Sequence, residues 1–142
     1  MKQVSVTKQV NATADKIWNI VKTGDAINEW LPMIASCKLI GSGSGAKRIC
    51  KTADGKTLEE TIKSVDHANR ELIYSIDKQE MMPIMNITNK LKISESMDIA
   101  TIKWTAEFDM PDESIFYTVE QGLKGLFEAG INGLEKVAMA NS

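Results

Sequence analysis

From Ile34 to Asp109 the chain alternates apolar and polar residues in six runs separated by turn signals; from Asp112 to Met139 its large apolar residues instead recur every three or four positions. The first spacing belongs to strands and the second to a helix, so the switch predicts a succession of antiparallel strands closed by one long helix. The strands are expected at 34–40, 46–52, 57–66, 70–77, 86–95 and 99–109. Their joints are the glycine-serine run 41–45, Ala53-Asp54-Gly55-Lys56, His67-Ala68-Asn69, the Met-rich segment 78–85 and Ser96-Met97-Asp98, most of them short enough for hairpins. The helix carries its large residues at 115, 116, 119, 123, 126, 127, 131, 134 and 137, with Asp112 or Ser114 as cap and Glu113 at the positive end of the dipole. It should reach on the order of 39 Å, enough to cross a whole sheet.

Ahead of this region, Val4, Val6 and Val10 mark a half-buried strand that ends at Asn11. Asn11 or Thr13 then caps a short helix with Ile17, Trp18, Ile20 and Val21 on one face, and Gly24 ends it. A second helical piece is expected over Asp25–Trp30, before Pro32 breaks it. The whole 142 residues read as one domain, 1–142, of the α+β class. A chain of this length buries roughly 68% of its unfolded surface and holds together without disulfides or metal.

Charge and cysteine usage narrow the partners. With 17 basic and 19 acidic residues and no basic stripe, nucleic acid is a poor match. No run is apolar enough to span a bilayer, which excludes integral membrane association by a helix. The opening MKQVSVTKQV lacks the apolar core of a signal peptide, so a cytoplasmic location is expected. Cys37 and Cys50 lack zinc-site spacing and read as inert strand residues, able to form a disulfide only if the facing strands permit it. No metal site and no cofactor motif is expected: the GSGSG run lies between two strands and has no helix after it.

Strand parity locates the candidate site. Inward faces are expected to hold Leu58, Glu60, Ile62 and Ser64; Leu72, Tyr74 and Ile76; Ile87, Asn89, Leu91 and Ile93; and Ile102, Trp104, Ala106 and Phe108. Pairing across the GSGSG turn sets Cys50 opposite Cys37 and puts Arg48 on the same inward side. An ionised Glu60 cannot lie in a solid apolar core without pairing. It is therefore either locked to Arg48 or lines a polar cavity, and both can hold together. Gly122, Gly125, Gly130 and Gly133 each cost about 1 kcal/mol in a helix interior; either close packing or space left for a ligand has to offset them. The lone His67 falls in a turn and reads as a solvated residue, leaving no nucleophile with a histidine base and no assigned catalytic residue.

Several stretches together resemble the helix-grip fold of START-like and Bet v 1-like proteins, the SRPBCC superfamily. They are Ala14-Asp15-Lys16-Ile17-Trp18, Trp30-Leu31-Pro32-Met33-Ile34, Gly45-Ala46-Lys47-Arg48, Glu60 with Asp66, and Arg70-Glu71-Leu72-Ile73-Tyr74, completed by Pro83 and Trp104. The detail is similar to the bacterial polyketide cyclase/dehydrase-like branch and, more distantly, to plant abscisic acid receptors. The resemblance implies a curved antiparallel sheet of about seven strands, ordered β-α-α-β6-α and wrapped around the long helix, with an internal cavity. In the receptors the positions matching Arg48 and Glu60 belong to a polar pocket network. The receptor's carboxylate-binding lysine aligns with Leu31 and a pocket tyrosine with Ile87, while the gate and latch are replaced by 53–56 and 81–85; abscisic acid is not the expected ligand.

The expected function is binding or transport of a small, mainly hydrophobic ligand anchored by Arg48, Glu60 and Asn89, with Tyr74 also at the site. Trp30, Ile87, Trp104, Leu123 and Phe127 would form the apolar walls. The alternatives are a cyclase or dehydratase using Glu60 and Arg48, and a ligand-dependent regulator acting through a protein partner at the 53–56 and 78–85 loops. Homodimer formation stays open. Close pairing with Arg48 is expected to lower the Glu60 pKa and weaken it as a base.

Overall fold

Strand β1 (Lys2–Val10) buries Val4 and Val10, and the chain turns at Asn11 into helix α1 (Ala14–Val21). The structure, a computed structural model, describes residues 1–141. Thr13 caps α1: its hydroxyl oxygen accepts from the Lys16 N–H at 3.3 Å. Between α1 and the next strand the expected helix over 25–30 is reduced to one 3-10 turn, Ile27–Glu29. Gly24 and Ala26 both adopt left-handed backbone, with φ of 71° and 56°, and a right-handed helix cannot pass through either.

Strands β2 (Ile34–Ile40), β3 (Lys47–Thr52), β4 (Thr57–Asp66), β5 (Glu71–Lys78), β6 (Met85–Ser96) and β7 (Ile99–Asp109) follow the expected succession, with ends shifted by a residue at most. They form a seven-stranded antiparallel sheet in the order β1-β7-β6-β5-β4-β3-β2, so the segment containing α1 carries the chain from one sheet edge to the other. Register breaks at Glu59/Glu60 and Ile62/Ser64 in β4 and at Met85/Thr88 in β6. Such bulges bend strands and raise their twist, and here they curve the sheet toward the helix that fills its concave side.

That helix, α2 (Phe116–Ala140), is preceded by a 3-10 turn over Glu113–Ile115. Asp112 caps the turn, its carboxylate accepting from the Ser114 N–H at 3.0 Å, and neither Asp112 nor Ser114 caps the α-helix proper. The tighter winding rotates Ile115 off the expected apolar face, where it is 37% exposed. Val119, Leu123, Phe127, Ile131, Leu134 and Ala138 form the buried stripe.

The helix glycines divide by position. A Cβ on Gly133 would stand 1.8 Å from the Trp30 carbonyl oxygen, and one on Gly130 would stand 2.5 Å from the Trp104 ring. Both permit close packing of α2 and leave no space for a ligand, which corrects the cavity reading for these two. At Gly122 the neighbour is the flexible end of Met82, at 3.1 Å, and at Gly125 there is none within 4 Å. The cysteines also depart from expectation. Cys37 and Cys50 are direct partners across β2 and β3 and form a disulfide, with Cα atoms 4.1 Å apart, because the register brings both side chains to the same face.

We expect Gly125→Ala to stabilise the protein by about 1 kcal/mol through helix propensity alone. Gly133→Ala should destabilise it by about 1–3 kcal/mol or more, because the colliding atom is backbone. Urea unfolding of the two variants checks the contrast, and equal effects would show that α2 does not sit this close to Trp30.

Candidate ligand-binding cavity

Pairing of β3 with β4 sets Arg48 directly opposite Glu60 on the inward face. Their side chains are 2% and 5% exposed, and the Arg48 Nε–H donates to Glu60 Oε1 at 2.6 Å. A second guanidinium nitrogen donates to the Gly24 carbonyl at 2.9 Å. Gly24 reaches that position through its left-handed φ, and a Cβ there would press on Ile62 at 3.0 Å. The guanidinium also lies over the Tyr74 ring, 4.7 Å from its centroid. The cation thus has a carboxylate, a carbonyl and an aromatic face around it, which is what a buried arginine requires.

Burial raises the Glu60 pKa above its ordinary value of 4.5, and the charge and hydrogen bond of Arg48 offset only part of that shift. The expected lowering is therefore corrected: loss of hydration outweighs the pair. Burial likewise pushes the Tyr74 phenol up, with the Glu60 charge adding to the shift. Asn89 Nδ2 donates to the Tyr74 hydroxyl at 3.1 Å. The Trp104 indole lies near enough to temper the phenol's shift, yet its N–H makes no hydrogen bond.

These groups border an internal cavity of about 70 Å³, lined by Trp30, Arg48, Glu60, Tyr74, Ile87, Asn89, Trp104, Leu123 and Phe127 among others. The nine residues expected to bind the ligand all border this one space, whereas the inward-facing Ile62, Ile93, Ile102, Ala106 and Phe108 do not line it. Leu31 borders it too, so an apolar residue stands where the resemblance places a lysine. Trp104 stacks on Phe127 at 4.5 Å and meets Trp30 at 5.8 Å, giving an aromatic wall beside the polar cluster.

The cavity is narrow. An engineered cavity of about 150 Å³ in another protein holds benzene, so a ligand of one ring or more has to displace part of the wall here. The adaptable part is the Met81–Ile84 segment, where Met81, Met82 and Ile84 line the space with soft side chains. Gln79 organises it. Its Nε2 donates to the carbonyls of Met82 and Ile84 at 2.8 and 3.1 Å, and its Oε1 accepts from the N–H groups of Met81 and Met82 at 2.8 and 2.9 Å. Sequence reading missed Gln79, since one glutamine in a non-periodic loop carries no pattern; the Pro83 that follows marks only a turn.

Other candidates lie apart from this space. His67 is an exposed turn residue whose Nδ1 accepts from the Trp18 indole N–H at 3.3 Å. Among the described residues no group of three or more metal-ligating side chains is placed to hold an ion. No helix among them is long and apolar enough to cross a membrane.

Removing one member of the buried pair should cost about 3–5 kcal/mol, whereas replacing both by apolar residues of similar volume should be neutral or stabilising. We expect Arg48→Met and Glu60→Leu each to be destabilised in urea, and the double variant to recover most of the loss. The pH dependence has a definite sign. A carboxyl whose folded pKa is raised favours the fold below pH 4.5 and loses that contribution as pH rises through its folded pKa. The stability of wild type relative to Glu60→Gln should therefore fall as pH rises from 4.5 toward neutrality; a rise would mean that Arg48 dominates instead.

Comparison with known proteins places this architecture. Among solved structures, protein XoxI from Bacillus cereus superposes with a TM-score of 0.85 at 19% identity, over 98% of this chain and 96% of that one. A protein from Thermobifida fusca gives 0.82 at 27% identity, over 97% and 93%. Norcoclaurine synthase from Thalictrum flavum, in a complex with dopamine and hydroxybenzaldehyde, gives 0.79 at 18% identity, over 99% and 88%. At such identities the first and third show the helix-grip fold alone. No curated protein matches the chain. A family model described as polyketide cyclase / dehydrase and lipid transport matches residues 1–139, nearly the entire chain, and the protein belongs to that family.

Proposed function

We propose that the chain works as a single domain over residues 1–142 that binds or carries a small, mainly hydrophobic molecule with one polar end. The observation that carries this reading is the buried cluster of Arg48, Glu60, Tyr74 and Asn89 at the edge of an otherwise apolar, aromatic-walled cavity. Apolar burial supplies the driving force for such a ligand, and the polar cluster sets its orientation. Entry requires the Gln79-held segment to move, because the space is small when its walls close on one another. The proposed setting is the cytoplasm. The Cys37–Cys50 disulfide pulls the other way, since such bonds persist mainly in oxidising compartments.

A second reading has one feature in its favour: Glu60 is buried beside Arg48 at the cavity wall, and burial raises its pKa above the ordinary carboxylate value. In a cyclase or dehydratase, Glu60 would take a proton from carbon beside a carbonyl while Arg48 holds the oxygen that gains charge. Glu60→Gln and Arg48→Ala would then abolish turnover on a panel of polyketides and enones, and unchanged rates would remove both residues from the mechanism. A partner-dependent regulator through the 53–56 and 78–85 loops has no comparable observation behind it.

Native mass spectrometry of protein purified from its own cells tests the leading reading. We expect a bound small molecule that is lost on denaturation and lost from an Arg48→Met/Glu60→Leu variant. Ligand-free protein that also takes up no hydrophobic probe would overturn it. Alkylation before lysis, on the same material, reads the compartment: unmodified cysteines correspond to the disulfide, and two modified ones to a reducing location.

A further inference from the structure

The cavity walls hold more hydrogen-bonding capacity than they use. Among the described residues, the buried side-chain polar atoms without a partner are Trp30 Nε1, Trp104 Nε1 and Asn89 Oδ1. Each belongs to a residue at most 4% exposed, and all three residues border the same cavity. Native structures leave few such groups unpaired, because a buried donor or acceptor that has lost water and gained nothing is a net cost. The sheet register brings them together. Asn89 pairs with Ala106 while Leu91 pairs with Trp104, so Asn89 and Trp104 are diagonal neighbours on one face, and the Trp30 ring meets Trp104. The residues that carry these two donors and one acceptor therefore border a common space, with the Trp104 indole also near the Tyr74 hydroxyl.

The charges beside them are already committed. Arg48 donates to Glu60 and to the Gly24 carbonyl and lies over the Tyr74 ring. An ionised carboxylate entering the cavity would meet the Glu60 charge at the same guanidinium, in a medium that screens like charges poorly, and would forfeit its own hydration. A hydroxyl has neither problem. It donates and accepts at once, so it can give its proton to Asn89 Oδ1 and receive one from an indole N–H.

We propose that the cavity selects uncharged, mainly apolar molecules bearing a hydroxyl, alone or beside a carbonyl, and rejects ionised carboxylic acids. The inference rests on the ligand-binding reading above and names its ligand class.

Three probes of similar shape test it: 4-ethylphenol, 4-ethyltoluene and 4-ethylbenzoate, titrated at neutral pH into nitrogen-15-labelled protein. The readout is the indole N–H resonances of the 3 tryptophans. Trp18 is the internal reference, since its N–H already donates to His67. The phenol should bind about tenfold more tightly than either analogue. It should shift the Trp30 or Trp104 indole resonance in a way 4-ethyltoluene does not, and leave Trp18 in place. In Asn89→Leu its advantage over 4-ethyltoluene should disappear; if that variant does not fold, the wild-type resonances decide. Equal binding by 4-ethyltoluene, or equal or tighter binding by 4-ethylbenzoate, overturns the selectivity and leaves ligand binding standing. Failure of all three to bind overturns both.

Discussion

A guanidinium and a carboxylate sealed from water are tolerable in a domain of this size only when they neutralise each other and their remaining polar atoms are met. In this protein that condition organises the sheet. The β3–β4 register places Arg48 opposite Glu60, a left-handed glycine at 24 turns its carbonyl toward the guanidinium, and Tyr74 on the next strand covers the cation with its ring. Three strands and the loop after α1 thus converge on one charge pair. The pair is also what keeps the inner face from closing as a plain hydrophobic core.

The long helix works against that openness and sets its limits. Near its C-terminal end Gly130 and Gly133 let α2 settle onto Trp104 and onto the backbone of Trp30. Earlier on the same helix Leu123 and Phe127 face the cavity, and Gly122 leaves room for Met82. One end of α2 is therefore packed for stability. The other borders a small space whose nearest neighbour is a methionine-rich segment held by a single glutamine. Packing density and adaptability are separated along one helix, which is how a domain with one core accommodates a site without giving up its fold.

Much of this was legible in the chain. Strand parity placed Glu60, Asn89 and Tyr74 inside because a half-buried sheet enforces a period of two, and one polar residue on an apolar parity stands out. Arg48 needed a second step, pairing across the GSGSG turn, and the Leu39–Arg48 register agrees with it. The glycines were less legible: a glycine in a helix announces close approach or open space alike, and only the neighbouring atoms distinguish Gly133 from Gly125. The direction of the Glu60 shift misled for a related reason. Sequence reveals the partner that lowers a pKa, while the burial that raises it depends on atoms from many elements.

The sequence by itself determined the order of elements, the inward faces and the identity of the polar intruders, since these follow from local periodicity and turn chemistry along a contiguous stretch. Tertiary structure alone decided the width of the cavity, the closeness of α2 and the three polar atoms left unpaired. Each of those is a distance between residues far apart in the chain, set by how the curved sheet closes on its helix, and no local pattern encodes such a distance.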